Sequence, residues 1–420
     1  MRPRLSGHPV GRRAGSTGPR VCVNDASSGC CEHSERIVPA SSRDLRLDFF
    51  RGIALIFIFI DHIPENVLGY FTIQAVQLFD AAEVFIFISG YTAALVYGRI
   101  LANQGPLYAT ARILGRTWQL YVAHVFLFVL FTAEVSYTVA TFNNPMYNDE
   151  MGVADFLEQP HIAIVKALML EFQPTFLAIL PLYIVLLVVF PPVLLGLRLH
   201  PLLVLLPSGL LYLVVQLTNL SVPAYPEGQV WFFNPLAWQF LFIVGAALGL
   251  PYRREWRPAQ RLVLPAALII VAAGFVIKFT WIIHGIWDPF PAVFLKELWP
   301  MSKSSLSPIR LISFFAMVVI VTTFVPSGAA FLRSPVARPV VLCGQQSLEI
   351  FCLGILLSAL GHFVLSEYDA TISIQLAVNL VGILAMCLTA SMINWYKTNS
   401  RAVMPQSVSA GSSRGSRIGQ

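Results

Sequence analysis

The chain has 420 residues, 56% of them hydrophobic and only 12% charged, with a mean hydropathy of +0.69. A soluble domain needs far less apolar surface, and long continuous runs are unlike the short alternating segments of a β-barrel, so the predicted class is an all-α, polytopic transmembrane helix bundle. The net charge of +6 would point to nucleic acid in a soluble chain; here membrane topology explains the arginines, the partner is the lipid bilayer, and no nucleic acid is expected.

Residues 1–42 are rich in Ser, Gly, Pro and Arg and contain no apolar segment, which predicts a disordered cytoplasmic tail without a secretory signal peptide. About ten apolar segments follow, near 47–63, 79–97, 118–140, 175–196, 201–220, 235–250, 263–284, 308–326, 345–365 and 372–394. Placing both termini in the cytoplasm puts about 23 of the 28 basic residues on that side, Arg99, Arg112, Arg116, Arg198, Arg253 and Arg254 among them. Residues 396–420 read as a second cytoplasmic tail. Two external connections are long. Residues 141–174 end in IAIVKALMLEF, too short to span and suited to the interface, and residues 285–307 are aromatic and interrupted by proline. No internal repeat is visible. Cys22, Cys30 and Cys31 lie in the tail, Cys343, Cys352 and Cys387 in or beside apolar runs, and none has metal-ligand spacing. No Walker loop, GxSxG elbow or HExxH is present, so neither NTP-driven transport nor serine or zinc hydrolysis has support.

The organising stretch is RDLRLDFFRGIALIFIFIDHIPEN, Arg43 to Asn66. Its apolar run carries Asp48 and Arg51 at one end and Asp61 and His62 at the other. Arg51 and His62 are eleven positions apart, which places them on one helix face about 16 Å from each other. Ionisable groups in a membrane segment are costly and usually face a cavity or a partner. Arg51 near the cytoplasmic surface either snorkels, with Asp48 as a structural partner, or binds a phosphate or carboxylate.

The second segment opens FDAAEVFIFISGY, so Asp80 and Glu83 fall at the membrane level of His62. A histidine beside carboxylates can be held in one tautomer as a general base; an interfacial histidine with solvated acids is the ordinary alternative. Gly90 shares a face with Glu83 and is expected to let the first helix approach closely. In WFFNPLAWQF, Asn234 and Gln239 can hydrogen-bond a hydroxyl or an oxyanion, while an N-cap by Asn234 ahead of Pro235 explains part of the motif without function. Lys296, Lys303 and Arg310 are cations on the external side, against the charge rule, and are candidates for anion binding. His284, Glu349 and His362 are further polar groups in or beside the spans and rank lower.

Four stretches, RDLRLDFFRGIALIFIFIDHIP, FDAAEVFIFISGYTAALVYG, FNPLAWQFLFIVGAALG and SPIRLISFFA, resemble the OpgC family of integral membrane acyltransferases. The resemblance covers about residues 43–395, with most specificity in the first two stretches. Arg51 and His62, with ten residues between them, are similar to the arginine and histidine separated by ten residues in the wider superfamily's first helix. Phe87, Ser89, Gly90 and Tyr91 match its Phe-rich Ser-Gly-aromatic turn. The resemblance implies O-acyl transfer in a bacterial inner membrane, with cytoplasmic acyl-CoA, succinyl-CoA in the namesake, as donor substrate. The acceptor would be a periplasmic glucan or related envelope saccharide, with no permanently bound cofactor and no metal. His62, oriented by Asp61, Asp80 or Glu83, would be the base. Arg51, Asp48, Ser89, Asn234, Gln239, Lys303 and Arg310 would contact substrate. The competing readings are a transporter or flippase for a glucan or its precursor, whose inverted repeats are not seen, and a scaffolding membrane subunit.

Overall fold

A computed structural model describes residues 44–250, 257–282 and 301–403. The tail 1–42 with its three cysteines, Arg253, Arg254, His284, Lys296 and residues 404–420 lie outside the described residues. Among the described residues, helices connected by short irregular segments form the whole architecture, with isolated bridges in place of strands.

Helix α1, Leu45–Asp61, begins at Asp44, whose carboxylate accepts from the Arg46 backbone N–H at 3.1 Å, as an N-cap should. It stops where Pro64 can no longer donate to the ladder. Helix α2, Ala81–Phe142, opens on a capping box in which Asp80 and Glu83 satisfy each other's backbone donors. It breaks at Gly105, where a φ of 83° is open to glycine and Pro106 restarts the helix. The sequence between the two apolar runs of α2 is therefore helical rather than a loop. After a short helix α3, Pro160–Leu168, come α4 (Ile179–Leu199), α5 (Pro201–Thr218), α6 (Pro235–Gly249), α7 (Arg257–Ile282) and α8 (Pro308–Phe324). The chain closes with α9 (Ala337–Gln345), α10 (Ser347–Glu367) and α11 (Ile372–Val403). Helix α11 continues into the stretch that reads as a tail from residue 396. Lys397 is held there by Gln346 and, at 3.3 Å, by Glu349.

Among the described residues, six helices are long and apolar enough to cross a membrane: α2, α4, α5, α10, and the apolar parts of α7 and α11. Helices α6 and α8 are apolar but shorter. Helix α1 has 17 residues, about 25 Å, and carries Arg46, Asp48, Arg51 and Asp61. The outward faces of α5 and α11 expose Leu202, Leu206, Leu210, Leu213 and Leu376, Leu380, Leu384, Leu388 at helical spacing. Apolar bands of that size are stable only against another apolar phase, so this is a membrane protein. Helix α1 lies on the opposite side of that logic: Phe59 and Leu55 are fully buried against its neighbours.

Glycine sets the closest helix crossings, and their partners differ from the expectation. A Cβ on Gly90 would meet the Phe242 carbonyl of α6, and Cβ atoms on Gly245 and Gly249 would meet the Phe87 and Tyr91 carbonyls of α2. Gly90 thus admits α6, not α1, because the small residues on both sides of that seam are spaced to let two backbones touch. Helix α1 instead approaches α9, through Gly52 against the Val340 carbonyl and Gly344 against the Asp48 carbonyl. Gly245→Val should therefore lower stability in detergent by at least the ~1–3 kcal/mol of an overpacked core. An unchanged thermal midpoint would contradict the crossing.

Candidate active site

At one end of α1, His62 forms the helix cap. Its backbone N–H donates to the Ile58 carbonyl at 3.2 Å, and its Nδ1 meets the same oxygen. A carbonyl only accepts, so Nδ1 carries the proton and Nε2 of the neutral ring carries the lone pair. The ring stands edge-on to Phe176, with centroids 4.5 Å apart, and Phe131 backs Phe176 at 6.4 Å. Phe176 holds a φ of 74°, a region that costs an aromatic residue energy and persists only when its surroundings impose it. Thr175 supplies that restraint, its backbone donating to the Met151 carbonyl at 3.0 Å and its hydroxyl to the Glu150 carbonyl at 3.0 Å. The imidazole is thus oriented by a backbone carbonyl and an aromatic edge, rather than by a direct carboxylate bond.

The carboxylates lie close by in a charged cluster. Asp80 and Glu83 are buried, Glu83 completely. Arg310 reaches them from the start of α8, its Nε donating to Glu83 Oε1 at 2.7 Å and its Nη2 to Asp80 Oδ2 at 3.2 Å. Lys303 Nζ is 2.7 Å from the same Asp80 oxygen and sits over the rings of Phe232 and Phe233. Asp80 and Lys303 are within electrostatic reach of His62. Asp61 lies beside Thr72 and feels Asp80, Lys303 and Lys278 of α7. Asp61, Asp80, Glu83, His62, Lys303 and Arg310 therefore share one neighbourhood.

Lys303 is fixed by its backbone. The segment 302–307 is tied down by four donors: Asn234 N–H to Ser304 O (3.1 Å), Trp238 Nε1 to both Lys303 O and Ser304 O (3.1 Å each), Gln216 Nε2 to Ser305 O (2.7 Å), and Tyr212 Oη to Leu306 O (2.8 Å). Asn234 caps α6 through Leu236 N–H at 3.1 Å and donates its amide to the Leu220 carbonyl at 2.7 Å. Gln239 exchanges hydrogen bonds with Ser208, accepting from its hydroxyl at 2.6 Å and donating to its carbonyl at 3.0 Å. In this arrangement both amides hold the scaffold around Lys303.

At the other end of α1, Arg51 Nη2 donates to the Thr92 hydroxyl at 2.7 Å and to the Ile88 carbonyl at 3.3 Å, both on α2. Asp48 is buried and accepts from Gln345 Nε2 of α9 at 3.2 Å. Ser89 is buried on α2, and its carbonyl accepts from Thr92 at 3.3 Å. The two ends of α1 thus belong to different constellations, with Arg51, Asp48 and Ser89 in one and His62 with the cation–carboxylate cluster in the other. His362 lies in neither. It pairs with Glu150 at 3.2 Å, next to Tyr147, whose phenol donates to Glu367 at 2.6 Å and is pushed up to about 12 by burial and by that carboxylate.

The model of the OpgC protein family matches residues 43–398, which takes in all of these side chains. The chain belongs to the OpgC family. It is accordingly an acyltransferase-like membrane protein, and no curated protein matches it. Several residues of this candidate site are not singled out from the sequence. Thr92 is one turn beyond Ile88 in a stretch already singled out, and Lys278 is a lone lysine in an apolar run, so both left a trace. Phe176 and Gln345 left none, because their partners are far away in sequence.

Proposed function

We propose that this chain is a membrane O-acyltransferase that moves an acyl group, of which succinyl is one, from cytoplasmic acyl-CoA to a periplasmic glucan or related envelope saccharide. The observation that carries the reading is the His62 ring: Nδ1 bonded to Ile58 O leaves Nε2 with the lone pair a general base needs. The topology that goes with it is ten crossings with both termini cytoplasmic in a bacterial inner membrane, built from the six long helices, of which α2 crosses twice through its two halves, together with α1, α6 and α8.

The acceptor hydroxyl oxygen attacks the thioester carbonyl carbon while Nε2 of His62 takes the hydroxyl proton. Collapse of the tetrahedral oxyanion breaks the C–S bond, and the thiolate leaves with the proton held by the imidazolium. Atoms and charge balance without metal or redox partner. Lys303 and Arg310 supply positive charge for the oxyanion or for a succinyl carboxylate, and the buried Asp80 and Glu83 hold those cations in place. Arg51, with Asp48 and Ser89 beside it, faces the donor's phosphates from the cytoplasmic end of the same helix.

Purified protein in detergent, given labelled acyl-CoA and a linear or cyclic glucan, should form acyl-glucan. A glucan transporter or flippase would form none and would leave acyl-CoA intact, and that result would overturn the proposal. Arg51→Lys should raise the KM for acyl-CoA about tenfold with little change in kcat, because a point charge replaces a planar fork. An unaltered KM would remove Arg51 from donor binding.

A further inference from the structure

The outer end of α10 is tied to the His62 imidazole along two routes. The first is direct: a Cβ on Gly361 would lie 3.0 Å from Cδ1 of Ile63, the residue after His62. The second runs through the next residue of α10, His362, whose Nε2 is 3.2 Å from Glu150 Oε2. A carboxylate only accepts, so Nε2 of His362 is the donor. Glu150 ends the short helix Met146–Glu150, and its backbone carbonyl accepts from the Thr175 hydroxyl at 3.0 Å. The Met151 carbonyl accepts from the Thr175 N–H at 3.0 Å, and a Cβ on Gly152 would press on Thr175 Oγ1 at 3.2 Å. Thr175 leads into Phe176, whose ring meets His62. The circuit thus leaves His62 through Phe176 and returns to it through Ile63.

Two links of this circuit need holding from outside. A five-residue helix does not persist by itself. Phe176 has a left-handed backbone that an aromatic residue abandons unless its neighbours impose it. The short helix is fastened to the bundle at Tyr147, through Glu367, and at Glu150, through His362, and both partners belong to α10. Of these two anchors, Glu150 is the one whose own backbone grips Thr175. His362 is a firm post for it, 9% exposed and packed edge-to-face with Tyr147 at 5.8 Å. Proton transfer is sensitive to such restraint, since a misplacement of about 1 Å can cost on the order of 10²-fold in rate.

We infer that His362, acting through Glu150, is a positioning residue for the His62 base: it keeps Phe176 against the imidazole and so keeps Nε2 aligned. What the alignment serves rests on the proposed acyl transfer, but the restraint on the ring can be read without turnover.

The test uses the full chain, labelled with ¹⁵N-histidine, in nanodiscs of phosphatidylethanolamine and phosphatidylglycerol. His62 signals are assigned by their loss in His62→Ala. The unaltered chain should show His62 as a single tautomer protonated at Nδ1. His362→Phe keeps a ring against Tyr147 but removes the donor. It should give both His62 tautomers and lower kcat about tenfold, with the KM for acyl-CoA within about twofold. Glu150→Ala should do the same, and the half-exposed Glu150 side chain keeps the test open should His362→Phe not fold. Glu150→Gln retains an acceptor oxygen and should preserve both the single tautomer and most of kcat. Unchanged His62 signals in His362→Phe and Glu150→Ala would overturn the inference. So would a loss in Glu150→Gln as deep as in Glu150→Ala. If the unaltered chain transfers no acyl group, the proposed function fails and the tautomer alone decides the inference.

Discussion

Replacing His62 by Ala should lower acyl transfer by about 10²–10⁴-fold, the contribution of a positioned general base, while leaving membrane insertion and abundance unchanged. The separation of these two readouts follows from the geometry. The His62 side chain meets the Ile58 carbonyl and the edge of Phe176, and the backbone N–H that ends α1 remains when the ring is gone. Purified His62→Ala protein, assayed with acyl-CoA and glucan beside a thermal-melt control, checks both halves. Transfer within twofold of the unaltered chain would show that the proton goes elsewhere. Loss of transfer together with loss of the folded protein would instead assign His62 a structural role.

Removing the Arg310 guanidinium should have the largest effect on stability. Among the described residues, Arg310→Met leaves Glu83, with no exposed surface, without its cation, and Asp80 with Lys303 alone. Breaking a buried ion pair from one side costs about 3–5 kcal/mol, most of it the price of stranding the remaining charge. Glu83→Gln introduced into the Arg310→Met chain should recover a substantial part of that loss, although Glu83→Gln alone destabilises by loosening the capping box of α2. A double-mutant cycle followed by thermal melts in detergent measures the coupling, and a coupling energy near zero would contradict the observed pairing.

How much of this was legible in the sequence depends on how local each interaction is. The apolar runs near 201–220, 308–326 and 345–365 coincide with helices Pro201–Thr218, Pro308–Phe324 and Ser347–Glu367, because burial of a long apolar stretch leaves the backbone little choice but a helix. Asn234 before Pro235 announces a helix start, whereas Asp80 and Glu83, read as acids beside His62, turn out to form the capping box of α2 as well. What the sequence could not show was which helices touch. Gly90 signals a close approach, but nothing in its neighbourhood says that the partner is Phe242 on α6 rather than α1. The surroundings of His62 are similar: the nearby carboxylates were visible, whereas the bond to Ile58 and the contact with Phe176 depend on a cap geometry and a distant loop. Lys303 and Arg310 stood out as cations on the wrong side for the charge rule, and the structure brings both to Asp80.

In the proposed reaction a base at one end of α1 and an arginine at the other serve a single transfer whose substrates approach from opposite faces. Proteoliposomes with labelled acyl-CoA sealed on the cytoplasmic side and glucan supplied only on the other test it most directly. Acyl-glucan is expected outside and free CoA inside, and neither with the His62→Ala protein. Acyl-glucan that appears only when donor and acceptor share a compartment would contradict it.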